Sequence, residues 1–267
     1  MRHPAGPATP MTRMGFFTDT SICIGCKACE VACKEWNDVP DDGFDFLATS
    51  YDNTGGLSAD TWRHVAFVEQ PVSVPALGEN GIRWLMSSDV CKHCTHAACL
   101  EVCPTGALFR TEFDTVVVQQ DICNGCGYCV PACPFGVIDE RESDGRVWKC
   151  TLCYDRLKSD LEPACAKACP TKSIQFGPLD ELRARAAGRL GALREAGVAD
   201  ARLYGADETD GVGGFGAFFL LLDKPEVYGL PPDPVVTTRD LPRMWRAAAG
   251  AALALVGAVA AACARQR

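Results

Sequence analysis

The chain has 267 residues, a formal net charge of -8, 17 cysteines and an aromatic content of only 8%. The acidic balance, without a basic stripe or an aromatic ladder, argues against nucleic acid as a partner. The length suffices for two modest domains, and the cysteine content predicts that metal clusters replace part of the hydrophobic core.

Residues 1–15 are predicted to form a disordered tail. This segment contains three prolines and two arginines, and it has no apolar run that could form the core of a signal peptide. We therefore expect no export signal in this chain.

The first cysteine run has the spacing C-x2-C-x2-C-x3-C, which bacterial ferredoxins use to hold a cubane iron-sulfur cluster. It comprises Cys23, Cys26, Cys29 and Cys33. A helix is predicted to begin inside this run and to end near Pro40. Residues 41–88 contain no cysteine and are predicted to be an insertion with strands over 62–68 and 82–86.

The second and third runs flank a predicted hairpin, with strands over 107–111 and 115–119. The third run repeats the ferredoxin spacing and is followed by proline, whereas the second has four residues between its second and third cysteines. They comprise Cys91, Cys94, Cys99 and Cys103, and then Cys123, Cys126, Cys129 and Cys133. Together they predict one dicluster ferredoxin unit.

The fourth run has eleven residues between its second and third cysteines, and it also ends before a proline. It comprises Cys150, Cys153, Cys165 and Cys169. Four runs of four cysteines are the number that four [4Fe-4S] clusters require, and Cys263 is left over. We therefore predict that iron is bound through these sixteen cysteines.

The pairing of the runs follows from the ferredoxin rule that the fourth cysteine of each run binds the cluster of the other run. Runs two and three then pair with each other, and so do runs one and four, so that one unit is nested inside the other. The predicted sets are Cys23, Cys26, Cys29 and Cys169 for cluster 1; Cys150, Cys153, Cys165 and Cys33 for cluster 2; Cys91, Cys94, Cys99 and Cys133 for cluster 3; and Cys123, Cys126, Cys129 and Cys103 for cluster 4.

Two other uses of cysteine remain as alternatives. A disulfide framework would also use an even number of cysteines, but C-x2-C-x2-C triplets favour shared metal ligation. Zinc ribbons use C-x2-C pairs, but they require neither a third cysteine nor a proline after the fourth. A three-iron cluster usually accompanies a missing cysteine, and none is missing.

Several histidines and lysines lie beside the cysteines. His93 and His96 could replace a thiolate, as in Rieske centres, but four cysteines already fill that site, so exposed loop histidines are expected. Lys27, Lys92 and Lys149 either raise the reduction potentials of the clusters or are solvated loop residues.

After the cysteine runs, residues 179–230 are predicted to supply a helix and a strand that cover the core. Leucines and alanines at spacings of three and four indicate an amphipathic helix from Leu179 to Leu193, and 215–222 is expected to be a buried strand. Residues 231–244 are a predicted proline-rich linker.

The last predicted element is a transmembrane helix over residues 245–264. Its 18 uncharged residues from 247 to 264 just reach the length of a membrane span, and their small side chains suit packing on another membrane helix. Trp245 at its start favours an interfacial anchor. A buried helix of a soluble protein is the alternative.

Short motifs outside the shared cysteine pattern carry a family resemblance. They are Cys23-Ile24-Gly25-Cys26-Lys27-Ala28-Cys29, Glu35-Trp36-Asn37-Asp38, Tyr51-Asp52-Asn53, Lys149-Cys150-Thr151-Leu152-Cys153, Leu203-Tyr204, Gly211-Val212-Gly213-Gly214 and Asp223-Lys224-Pro225. With the C-terminal helix, they resemble the iron-sulfur (beta) subunit of membrane-bound formate dehydrogenase. The cysteine runs alone are shared by other four-cluster subunits of molybdenum-enzyme complexes.

The resemblance implies an α+β fold, a duplicated bacterial dicluster-ferredoxin-like domain over residues 16–178 with insertions, plus one C-terminal transmembrane helix. It also implies a molybdopterin catalytic subunit with Mo or W, and a quinone-reactive membrane subunit of the cytochrome b or haem-free multi-helix type. This chain, with no catalytic residues of its own, would carry electrons between them. The electron-transfer subunit of a dimethyl sulfoxide, polysulfide or thiosulfate reductase is the alternative.

The resemblance further implies a place at the cell (cytoplasmic) membrane, which the chain would cross once. The cluster domain is expected on the outer, periplasmic side, and the cytoplasmic side is compatible with the sequence.

Overall fold

Short helices and strands alternate along the cysteine-bearing region. The structure, a computed structural model, describes residues 12–43, 48, 51–52, 54–74 and 79–265. The elements are β1 (Met14–Asp19), α1 (Ala28–Asn37), β2 (Arg63–Val74), β3 (Glu79–Val90), α2 (Ala98–Glu101), β4 (Leu108–Arg110), β5 (Val116–Val118), α3 (Cys129–Ala132), β6 (Asp139–Glu140), β7 (Val147–Trp148), α4 (Tyr154–Leu157), α5 (Ala164–Ala168), β8 (Ile174–Pro178), α6 (Leu179–Glu195), β9 (Arg202–Tyr204), β10 (Ala217–Leu221) and α7 (Leu241–Arg265).

A four-stranded sheet with the order β8-β1-β10-β9 joins the two ends of the cysteine-bearing region. β1 precedes the first run and pairs antiparallel with β8, which follows the fourth run. On its other side β1 pairs in parallel with β10. The sheet therefore holds runs one and four together, although about 120 residues of chain separate them.

The two central strands of the sheet, β1 and β10, are buried over almost their whole length, as strands covered on both faces are. Phe17 and Phe218 stack with their ring centroids 5.3 Å apart, and both side chains are fully buried. Leu182 and Ala186 of α6 are buried as well, because α6 packs on β1 and β8. The segment 179–230 was predicted to cover the core, and the structure also places its strand β10 inside the sheet.

The first strand overlaps the end of the predicted tail, residues 1–15. Residues 1–11 lie outside the described part of the chain, whereas β1 already begins at Met14. Met14 pairs with Pro178 and Gly15 with Gly177, so the last two residues of the predicted tail belong to the sheet.

The insertion contains a long hairpin, in which β2 and β3 pair antiparallel from Arg63↔Val90 to Val74↔Glu79. It is longer than the predicted strands, and β3 runs directly into the second cysteine run. The predicted hairpin over 107–119 is present as β4 and β5, which pair antiparallel.

The short helices inside the cysteine runs pack in pairs. α1 of the first run packs on α5 of the fourth, and α2 of the second run packs on α3 of the third. The packing divides the runs into an outer pair and an inner pair, which is the division that the ferredoxin rule predicts.

The predicted linker, 231–244, is packed rather than free over its middle part. Val236 and Thr238 are buried. Thr237 donates a hydrogen bond to the carbonyl oxygen of Ala132 at 3.0 Å, and Thr238 donates one to the carboxylate of Glu101. These bonds fix the segment to α2 and α3, immediately before the C-terminal helix.

α7 begins at Leu241, four residues before the predicted start, and none of its side chains is buried. It is long and apolar enough to cross a membrane. A helix whose apolar side chains all remain exposed lacks the contacts that stabilise such a helix in water.

Candidate cluster-binding sites

The structure gathers the sixteen cysteines into four groups. Three of them line cavities: Cys23, Cys26, Cys29 and Cys169; Cys91, Cys94, Cys99 and Cys133; and Cys103, Cys123, Cys126 and Cys129. In the fourth group, Cys150, Cys153 and Cys165 are near enough to Cys33 to raise the pKa of its thiol, for which burial is the larger cause. The groups have the same members as the predicted sets and are named here the sites of clusters 1 to 4.

Each site takes three cysteines from one run and one from the run paired with it. In runs two to four the fourth cysteine follows a short helix, and in run one Cys33 lies one turn after Cys29 within α1; in each run the helix directs the fourth cysteine away from the first three. Cys133, for example, follows α3 and lies in the cavity of run two. The two helix pairs therefore account for the exchange.

The donor atoms suit a cluster better than a single ion. Among the described residues, no three His, Cys, Asp or Glu side chains converge closely enough to hold one metal ion, whereas a structural zinc ion needs four ligands within about 2.3 Å. Four thiols around a cavity are the ligand set of a [4Fe-4S] cluster. This geometry disfavours the zinc alternative.

Glycine allows the loops of runs one and three to turn around their cavities. Gly25 has φ of 65° and Gly125 has φ of 69°, a conformation that is strained for other residues. Each glycine immediately precedes the second cysteine of its run.

Burial makes several of these thiols weaker acids than a free cysteine. It raises the pKa of Cys29 to about 11 and that of Cys150 to about 12. Because a thiolate is the form that binds iron, cluster binding must release protons and supply the compensating positive charge.

The four sites form a row. Cys165 of site 2 is near enough to influence the pKa of Cys29 in site 1, and Cys91 of site 3 influences Cys150 in site 2. Likewise Cys129 of site 4 contributes to the raised pKa of Cys99 in site 3, after burial as the largest cause. The order is therefore 1-2-3-4, with sites 1 and 4 at the ends.

Two lysines that could have been solvated loop residues are buried among these sites. Lys92 is 0% exposed and Lys149 is 2% exposed. The ammonium group of Lys149 donates to the carbonyl oxygen of Cys150 at 2.8 Å, and that of Lys92 lies 5.0 Å from the ring centroid of Phe219. Lys92 and Lys149 are therefore not solvated loop residues, and Lys92 also forms an ion pair with Asp89.

The expectation of an exposed histidine is wrong for His93 and correct for His96, which is exposed. His93 lines the site 3 cavity, and its Nδ1 accepts a hydrogen bond from the backbone N–H of Val116 at 3.1 Å. Burial holds the pKa of His93 well below its usual value, so the ring is neutral. Its Nε2 is buried and has no partner in the described part of the chain.

Sequence reasoning missed Arg63, which lies in β2 and is 2% exposed. Its Nη2 donates to the sulfur of Cys165 at 3.3 Å. No sequence pattern marks it, because an arginine in a strand usually faces solvent.

Comparison with known proteins agrees with this site. Two family models, each described as a 4Fe-4S dicluster domain, match residues 22–107 and 82–179. The formate dehydrogenase iron-sulfur subunit of Haemophilus influenzae is 43% identical over 223 residues, which cover 82% of this chain and 68% of that protein.

Two Escherichia coli proteins extend the comparison. The nitrate-inducible formate dehydrogenase iron-sulfur subunit is 41% identical over 235 residues, covering 86% of this chain and 76% of that protein. The B subunit of anaerobic dimethyl sulfoxide reductase is 39% identical over 173 residues, covering 64% of this chain and 77% of that protein. The longer matches are to the former type, and this chain belongs to the family of formate dehydrogenase iron-sulfur subunits.

Proposed function

We propose that this chain is the electron-transfer subunit of a membrane-bound formate dehydrogenase complex, and that its sixteen grouped cysteines hold four [4Fe-4S] clusters. The observation that carries the proposal is the row of four sites, each with four cysteines. Each cluster, when bound, accepts and releases one electron. The protein supplies the spacing, burial and charges that control the transfer.

The two ends of the row differ in their surroundings. The segment that leads into α7 is held by α2 and α3, the two helices that carry cysteines of sites 3 and 4: Thr238 bonds to Glu101 and Thr237 to Ala132. If α7 enters a membrane, sites 3 and 4 are the half of the row nearer to it, and cluster 4 is the end of the row on that side. Electrons would therefore leave the chain at cluster 4 and enter it at cluster 1.

The surface at the cluster 1 end suits a protein partner. Ile24 lies between two cysteines of site 1 and is 58% exposed, while Tyr51 is 72% exposed. The ring of Tyr51 lies 5.5 Å from that of Trp84, which is itself partly exposed. Exposed aromatic residues around an electron entry point are typical of an interface. We assign this surface to the catalytic subunit, which would carry molybdopterin with Mo or W.

α7 is proposed to cross the membrane once and to pack on a quinone-reactive membrane subunit. Its alanines and its two glycines, Gly250 and Gly257, permit close approach of a second helix. A haem absorption band in the purified complex would identify a cytochrome b partner, and its absence a haem-free multi-helix partner.

The family resemblance supports an outward, periplasmic position for the cluster domain. Protease treatment of spheroplasts tests this orientation. Cleavage of the cluster domain in intact spheroplasts is expected, whereas cleavage only after lysis would place the domain in the cytoplasm.

Metal analysis of the purified complex tests the four-cluster assignment. We expect this chain to contribute roughly 16 iron atoms and an equal amount of acid-labile sulfide. Variants that each lack the cysteines of one site assign the iron to this chain. Zinc in place of iron, or iron for only two clusters, would overturn the assignment.

Formate is the reductant that tests the substrate of the complex. Electron paramagnetic resonance should show the clusters of this chain reduced within seconds of adding formate. If formate leaves them oxidised and dimethyl sulfoxide reoxidises chemically reduced clusters, the complex is a reductase, which is the alternative.

A further inference from the structure

Arg63 lies between the sites of clusters 1 and 2. Its guanidinium group is buried, and its Nη2 donates to the sulfur of Cys165 in site 2 at 3.3 Å. Its Nη1 donates to the side-chain oxygen and to the carbonyl oxygen of Ser88, each at 3.3 Å. The arginine therefore bonds directly to one candidate cluster ligand.

Ser88 extends this contact to the neighbouring site. Its hydroxyl oxygen lies 3.3 Å from the sulfur of Cys29 in site 1, and the residue is 1% exposed. Cys165, Arg63, Ser88 and Cys29 thus form a continuous hydrogen-bonded connection between two adjacent sites, here called the Arg63–Ser88 bridge. Water is excluded from it by burial.

Among the described residues, no carboxylate forms an ion pair with the guanidinium group of Arg63. A buried guanidinium group without a counter-charge is strongly unfavourable. The other side of the group faces the ring of Phe16, at 4.9 Å from the ring centroid, and its Nε is buried without a partner in the described part of the chain. The sulfur atoms of sites 1 and 2 are therefore the nearest source of negative charge.

We propose that Arg63 is a positioning residue that sets the reduction potentials of clusters 1 and 2 together, through its fixed charge and the Arg63–Ser88 bridge. The inference rests on the proposed function, in which Cys29 and Cys165 are cluster ligands. When a cluster gains one electron, its negative charge increases by one, and a nearby cation stabilises the product. Donation of an N–H or O–H group to a ligand sulfur acts in the same direction.

No proton accompanies this electron. The guanidinium group stays protonated throughout the accessible pH range, so it neither gives nor takes a proton when the cluster is reduced. One charge thereby raises the reduction potentials of both clusters. The difference in potential between cluster 1 and cluster 2 therefore stays small.

The experiment compares four variants in the intact purified complex: Arg63→Met, Arg63→Lys, Ser88→Ala and Arg141→Met. Arg141 is the matched control, because it is also buried, pairs with Asp60 at 2.6 Å and stacks on Trp148, yet in the described part of the chain it bonds to no cysteine. The readout is the midpoint potential of each cluster, from redox titration followed by electron paramagnetic resonance. Iron content is measured on the same samples.

We expect Arg63→Met to reduce the equilibrium constant for reduction of clusters 1 and 2 at least tenfold, which is about 59 mV for a one-electron couple. Clusters 3 and 4 should keep their potentials. Ser88→Ala should lower the potential of cluster 1 more than that of cluster 2, and Arg63→Lys should retain part of the effect because it keeps the charge. Arg141→Met should leave all four potentials unchanged.

Unchanged potentials of clusters 1 and 2 in Arg63→Met with full iron content would overturn the proposal. If the Arg63→Met complex does not assemble, the potentials of clusters 1 and 2 in Arg63→Lys and Ser88→Ala test the proposal. Unchanged potentials in both variants would overturn the proposal. A shift of all four clusters by Arg141→Met would also refute it, because the effect would then be general. The number of clusters in the unsubstituted complex tests the proposed function separately.

Discussion

Replacing Gly125 by alanine should disrupt the site of cluster 4. Gly125 lies between Cys123 and Cys126 with φ of +69°, and a methyl group there would overlap the carbonyl oxygen of Gly145. That oxygen belongs to the backbone of the turn between β6 and β7 and cannot rotate away. Either the cysteine loop or the turn must move by roughly 1 Å to restore an ordinary contact distance.

The expected cost has two parts. The left-handed backbone conformation costs alanine about 1–2 kcal/mol, and overpacking against a fixed neighbour adds roughly 1–3 kcal/mol. Gly127→Ala is the matched control, because Gly127 also has φ of +69° but the nearest atom to its added methyl group would be Glu140 Oε2 at 3.5 Å. The control therefore carries the first cost without the second.

The measurements are the iron content and the cluster spectra of the purified complex, together with its thermal unfolding. Gly125→Ala should lose the cluster 4 spectrum and roughly a quarter of the iron of this chain, whereas Gly127→Ala should keep both and unfold at a slightly lower temperature. Equal iron content and equal loss of thermal stability in the two variants would refute the packing of the loop on the turn.

Three further predictions concern other parts of the structure. Cys133→Ser should remove the spectrum of cluster 3 and Cys129→Ser that of cluster 4; loss of the same spectrum in both would contradict the exchange of ligands between runs. Truncation before Leu241–Arg265 should release the cluster domain from membranes with its iron retained, as centrifugation and metal analysis would show, and a membrane-bound truncated chain would contradict the anchoring role of α7. His93→Leu should cost about 1–3 kcal/mol of stability, because it leaves the buried N–H of Val116 without an acceptor; an unchanged melting temperature would count against that bond.

The cysteine runs are predictable because their information is local. The spacing of Cys123, Cys126 and Cys129 reflects how one loop surrounds a cubane, and the hairpin over 107–119 follows from alternation and turn residues within a dozen positions. The length and composition of the C-terminal helix are likewise properties of one continuous segment. Each of these features can be predicted without knowing where distant residues lie.

The surroundings of the clusters were not predictable in this way. Lys92 and His93 follow a cysteine in a loop that the sequence indicates is exposed. They are buried because β10 and the segment before it cover that loop. The backbone N–H of Gly216 donates to the carbonyl oxygen of His93, and that of Ala217 donates to the carbonyl oxygen of Lys92. Residues 236–238, in the predicted linker, are held by α2 and α3, which lie more than 100 positions away.

The sequence by itself determined the number of cysteine runs, the metal chemistry they suit and, through the ferredoxin rule, which runs pair. Only the tertiary structure decided the order of the four sites and the charges buried between them. The physical reason is that ligand spacing is set by bonds along the chain, whereas burial is set by pairing between segments such as β1, β8 and β10. Arg63 shows the difference. Its sequence neighbours do not predict its burial, whereas its position between sites 1 and 2 is the basis for its proposed effect on their reduction potentials.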